Sequence, residues 1–120
     1  MKLDDVTHYQ LLKILTEHPK YTQREIAATL GLSLGKINFC LNALIAKGLV
    51  KVGNFRHNQD KRVYAYLLTP QGIEDKARIT IQFLQRKMAE YDALKTEIES
   101  LRREVQELSP EDLGSGGAAS

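Results

Sequence analysis

The sequence predicts a mainly α chain carrying one small β-hairpin, in the order α-α-α-β-β-α. Three observations predict it. Apolar residues recur at helical spacing in three short segments before residue 48, each closed by Pro or Gly. Two β-prone runs, LVKVGNF (49–55) and RVYAYLLT (62–69), flank the polar, basic RHNQDK (56–61). After Pro70 no proline interrupts the chain until Pro110, which leaves room for one long helix.

The first helix is capped by Asp4 or Asp5 and runs to about His18, where Pro19 ends it. Tyr9, Leu12 and Leu15, joined by Leu11 and Ile14, form its apolar face. Thr22-Gln-Arg-Glu25 has capping-box spacing and opens the second helix, whose apolar residues are Ile26, Ala27 and Leu30. Gly31 suits a left-handed stop. Ser33 caps a third helix over 33–47, and Gly48 ends it. The basic tip of the hairpin follows. Thr69 then reads as an N-cap with Pro70 at the first helical position. The divisions expected are 1–69, a long helix over 70–108, and a flexible, small and polar tail over 109–120. The core of three helices and a hairpin is modest, so the long helix has to help close it.

The third helix carries the functional signal. Ile37, Cys40, Leu41, Leu44 and Ile45 share one arc, the core face. Asn38, Asn42, Gly35, Ala46 and Phe39 lie opposite; Phe39 is about 200° from Ile37. Lys36 and Lys47 flank them. Gly and Ala permit close approach. Asn can form two hydrogen bonds to an adenine edge, and an apolar ring can meet a thymine methyl. The alternative is that Phe39 packs against the second helix or a neighbouring subunit. Cys40 falls on the core face, where a small buried hydrophobe is expected rather than a redox sensor.

Charge points the same way. The whole chain is +2, yet residues 1–69 hold ten Lys/Arg against five Asp/Glu, and residues 70–120 hold seven against ten. Residues 31–62 contain Lys36, Lys47, Lys51, Arg56, Lys61 and Arg62 against Asp60 alone. Such a skew suits a polyanion.

Ala27, Gly31 and Ile37 stand at the A-x3-G-x5-I spacing of a helix-turn-helix: a small residue where helices cross, a glycine at the turn, an aliphatic anchor. With the hairpin behind them, residues 4–70 resemble a winged helix-turn-helix of the MarR superfamily of bacterial and archaeal transcription regulators. LIAKGLV (44–50), DKR (60–62) and LLTPQG (67–72) carry the resemblance. The stretch from SLGKINFCLNALIAKGLVKV through YAYLLTPQGI is most like the MarR-type regulators associated with exopolysaccharide clusters. The resemblance implies that helix 33–47 enters the major groove with Ser33, Lys36, Asn38, Phe39 and Asn42. It also implies that the wing, 54–62, sits near the minor groove, with Arg62 inserted and Asp60 steadying the wing. Narrow A·T-rich grooves do attract arginine. Arg56, Lys61 and His57 are weaker wing candidates. Relatives often place a basic residue where this chain has Phe39, which leaves the base preference open.

The long helix implies a second copy. The broad apolar face of Ile73, Ala77, Ile81, Leu84 and Met88, with Ile79 and Phe83 beside it, suits packing against the winged domain and a partner, with Leu84 and Met88 at the dimer contact; beyond it a heptad seam begins. Tyr91, Ile98 and Val105 take a; Leu94, Leu101 and Leu108 take d. Glu90, Glu97 and Glu104 take g, with Lys95 and Arg102 at e. In a parallel pair Glu90 meets the second copy's Lys95 and Glu97 its Arg102, so the charges select a parallel homodimer. The alternative is a helix that folds back on its own domain.

The expected function is a dimeric, sequence-specific regulator that reads an inverted repeat in double-stranded DNA. The resemblance also allows an effector pocket between the winged domain and the long helices, with no ligand named by the residues. The competing readings are an architectural chromatin-type protein with weak sequence preference and a protein-interaction module. An enzyme is not expected: His8, His18 and His57 are scattered, and no catalytic set, metal spacing or phosphate loop stands out. No cofactor, metal site or membrane segment is expected, one cysteine gives no disulfide framework, and a cytoplasmic location is the default.

Overall fold

The computed structural model describes the backbone of residues 1–57 and 61–114, and their side chains except for 54–57 and 61–64. The elements are α1 (Asp5–Glu17), α2 (Gln23–Leu30), α3 (Leu34–Ala46), β1 (Val50–His57), β2 (Lys61–Leu68) and α4 (Pro70–Glu107). This is the predicted order, and the expected mainly α fold with a wing hairpin is what forms.

Local chemistry sets the helix boundaries. Asp4, not Asp5, caps α1: its carboxylate accepts from the Thr7 N–H at 2.8 Å and the Thr7 hydroxyl at 3.1 Å. Thr22 and Glu25 close the capping box of α2 in both directions. Gly31 ends α2 with φ +67°, a region costly for any residue bearing a Cβ. Gly48 ends α3 at φ +75°; its N–H bonds the Ile45 carbonyl and the Leu49 N–H bonds the Leu44 carbonyl, the paired reverse bonds of a Schellman stop.

The chain divides into two compact units, Met1–Ile81 and Gln82–Ser120. The first is the winged domain. Its core comprises Leu11, Leu12, Ile14 and Leu15 of α1, Ile26 and Ala27 of α2, Ile37, Cys40, Leu41 and Leu44 of α3, and Val50 of β1. The unit runs past residue 69 because the start of α4 packs into it: Gly72 and Ile79 are buried. Thr69 caps this helix, accepting the Gly72 N–H at 3.1 Å. A Cβ on Gly72 would overlap the Leu49 carbonyl oxygen, so only glycine fits this approach. His8 Nε2 lies 2.6 Å from Asp75 Oδ2, both side chains about nine-tenths buried, and Asp75 also meets Arg78. His8 therefore does sit beside a carboxylate, contrary to the sequence expectation. The partners lie on different helices, which sequence spacing does not reveal, and the contact ties α1 to α4.

β1 and β2 pair antiparallel with Val50 opposite Leu68 and His57 opposite Lys61. Both strands reach further toward the tip than predicted. Arg56, His57 and Lys61 belong to them rather than to the tip, because backbone pairing continues in register whatever the polarity of the side chains. The outer edge of β2 is occupied too: the Tyr66 N–H bonds the Pro19 carbonyl at 3.1 Å.

In the second unit α4 continues to Glu107. The Ser109 N–H donates to the Asp112 carboxylate at 2.8 Å and the Asp112 N–H to the Ser109 carbonyl at 3.0 Å. The first residues of the expected tail thus form a closed turn, and the Ser109 donors hold the Asp112 carboxyl below its ordinary range.

Candidate nucleic-acid interface

α3 separates two surfaces. Ile37, Cys40, Leu41 and Leu44 are fully buried, and burial pushes the Cys40 thiol up from its ordinary value. Ser33, Gly35, Asn38, Phe39, Asn42 and Ala46 are exposed, as the helical spacing predicts. Phe39 keeps 40% of its surface open, so it does not serve as a core residue of its own domain.

The exposed face is organised by hydrogen bonds. Ser33 Oγ accepts the Lys36 N–H at 3.1 Å and caps the helix. Asn42 Nδ2 donates to Asn38 Oδ1 at 3.3 Å, and Asn38 Nδ2 donates to Gln23 Oε1 at 3.3 Å. Gln23 Nε2 in turn donates to the Tyr66 hydroxyl at 3.0 Å. Neither Gln23 nor Tyr66 is singled out by the sequence. Gln23 reads there as the first residue inside a capping box and Tyr66 as a strand aromatic. Only the crossing of α2 and α3 brings them to the two asparagines.

Lys36 is committed differently from the expectation. Its Nζ lies 3.0 Å from Asp4 Oδ2, bridging α3 to the cap of α1. The Thr7 N–H, the Lys36 ammonium and the Thr7 hydroxyl hold the Asp4 carboxyl well below the usual carboxylate range. The ammonium is therefore partly neutralised before any phosphate approaches.

In the wing, the backbone register sets Arg56 opposite Arg62 and His57 opposite Lys61. The side chains of these four lie outside the described residues, as does Asp60 entirely. Among the described residues no group of three or more His, Cys, Asp or Glu could hold a metal ion, and no single helix is long and apolar enough to cross a membrane. Tyr9, Lys13 and Glu17 of α1, with His18 and Leu30, line a groove between α1 and α2; the His18 and Tyr21 rings stack nearby, 4.2 Å apart.

Residues 4–51 match the family model described as a winged helix-turn-helix DNA-binding domain. The fold recurs in solved structures, transcription regulators among them. The MarR/EmrR family transcriptional regulator of Acinetobacter sp. ADP1 is 24% identical, with TM-score 0.58, over 85% of this chain and 76% of that one. The PcaV transcriptional regulator of Streptomyces coelicolor, solved with its natural ligand, is 22% identical, with TM-score 0.59, over 83% and 73%. The protein smu.1704 of Streptococcus mutans UA159 is 20% identical, with TM-score 0.66, over 79% and 92%. At these identities the likeness is one of fold. No curated protein matches the chain. Residues 4–51 are thus similar to winged helix-turn-helix DNA-binding domains, and the fold is one shared with MarR-type regulators.

Proposed function

We propose that this protein is a MarR-type transcription regulator that binds an inverted repeat in double-stranded DNA as a homodimer. The observation that carries the reading is the two-sided α3. On its apolar arc Ile37, Cys40, Leu41 and Leu44 are fully buried and Ile45 partly so, while Asn38, Phe39 and Asn42 stand exposed on the other side. A polar, aromatic face on a helix-turn-helix second helix suits base edges and thymine methyls in a major groove. The wing supports it by composition: Arg56, Lys61 and Arg62 stand on the paired strands, and a basic hairpin suits phosphates or a narrow groove.

Dimerisation rests on α4. Tyr91, Leu94, Ile98, Leu101, Val105 and Leu108 are between 41% and 66% exposed, all on the heptad seam. A water-facing stripe of six large apolar side chains suits a second copy of itself. The Glu at g and Lys or Arg at e favour the parallel arrangement, each exposed pair adding only tenths of a kcal/mol. A small-molecule effector is a further part of the reading, with no chemistry assigned. The narrower likeness to regulators of exopolysaccharide clusters would place the operator beside such genes.

The test is selection from a random duplex library at physiological salt, with the bound pool sequenced. An enriched inverted repeat supports the regulator. Bound DNA without a motif supports the architectural reading instead. A folded protein that retains no duplex rejects both.

A further inference from the structure

Resting on the DNA-binding reading, we propose that Gln23 and Tyr66 are positioning residues that fix the amide of Asn42 to read an adenine.

The three hydrogen bonds run in one direction. Asn42 donates to Asn38, Asn38 to Gln23, and Gln23 to the Tyr66 hydroxyl. The terminal acceptor is anchored. Tyr66 packs partly buried against the core, and its N–H is bonded to the Pro19 carbonyl. Gln23 stands at the first position of α2, itself fixed by a closed capping box. A side chain on the wing strand thus sets the orientation of two side chains on the recognition helix, through a third on α2.

Direction matters because an amide is asymmetric. Turned over, Asn42 would set its own oxygen against Asn38 Oδ1, acceptor against acceptor. Turning Asn38 as well would set oxygen against Gln23 Oε1. No one amide can turn without breaking a link; only a concerted turn of all three, with the Tyr66 hydroxyl donating to Gln23 instead of accepting, keeps every bond. Among the described residues nothing bonds Asn42 Oδ1, and its Nδ2 retains one hydrogen. Asn42 is therefore held in place and, in this arrangement, presents one acceptor and one donor at the open end of the chain. Adenine offers the complement in the major groove: an N6 donor and an N7 acceptor. Guanine offers two acceptors there and fits poorly.

Asn38 is separated from Asn42 in role by the same geometry. Its oxygen and one of its hydrogens are already used within the chain of bonds. It relays orientation, while Asn42 reads.

The experiment uses full-length protein. Library selection with the wild type first defines the site. Asn42→Ala identifies the base pair at which preference is lost. Gln23→Ala, Tyr66→Phe and Gln23→Ala/Asn42→Ala are then titrated against that site and against the site with that pair changed from A·T to G·C. Tyr66→Phe keeps the ring, so it reports on the hydroxyl even should Gln23→Ala fold poorly. We expect Gln23→Ala to reduce discrimination at that one pair by about fivefold, the size of one net hydrogen bond. The dependence of affinity on salt should stay as in the wild type. Tyr66→Phe should move the same pair in the same direction. In the double variant, Gln23→Ala should add nothing to the loss caused by Asn42→Ala.

Equal weakening on both duplexes with a shallower salt dependence would make Gln23 a phosphate contact and overturn the proposal. Unchanged preference in both single variants overturns it as well, and leaves the regulator standing. A wild type that binds no duplex removes the DNA reading and this inference together.

Discussion

Gly72 has no substitute of its own size. Its Cα approaches the Leu49 carbonyl so closely that any Cβ must displace backbone, not a flexible side-chain end. Gly72→Ala should therefore cost about 1–3 kcal/mol, the range of overpacking, despite the gain in helix propensity. Urea unfolding checks this; an unchanged midpoint would mean that the helix start shifts freely. Asp4 gives a second test. Its folded carboxyl is held below the ordinary value, so its contribution is full above the unfolded pKa of about 4 and declines as pH falls below that. Asp4→Ala should cost about 1 kcal/mol at pH 7, the usual loss for an N-cap. The gap between wild type and variant should then narrow from pH 4 downward. The Gly72 clash is not legible in the sequence, where the residue figures only as the last of LLTPQG (67–72). Asp4 was legible as a cap, and its bond to Lys36 was not, because the partners lie 32 positions apart.

At the scale of elements, the reading of the sequence was nearly complete. Capping boxes, glycine stops and apolar periods are local signals, and each helix begins and ends where they stand. The core arc of α3 followed from its periodicity alone. What escaped was lateral. The amides of Asn38 and Asn42 were visible as an outward face, but their alignment by Gln23 and Tyr66 depends on how helices cross. The broad apolar face of α4 also divides in a way that spacing does not foretell. Ile79 is buried, whereas Ile73 and Ile81 remain more than half exposed. Further along, the heptad seam carries its own prediction. Leu94→Asp with Leu101→Asp places charge at two d positions and should give monomers by sedimentation at micromolar concentration. A persisting dimer would move the interface off the seam.

For the whole molecule, the proposed dimer doubles every contact. Arg62→Ala should lower the salt dependence of DNA affinity by about one unit per chain. On a full inverted repeat the two copies should together remove about two units. Titration of full and half sites across salt concentrations measures both; identical slopes for variant and wild type would take Arg62 out of the contacts.

α3 ends, and the start of α4 is anchored, on one short stretch of backbone. The Gly48 carbonyl accepts the Thr69 hydroxyl, and the Leu49 carbonyl accepts the Thr69 N–H while lying against Gly72. Such a joint has almost no slack. Two helices that many domains would separate by a free linker are here pinned to the same two carbonyls, so a change at Leu49 or Thr69 touches the end of one and the start of the other at once.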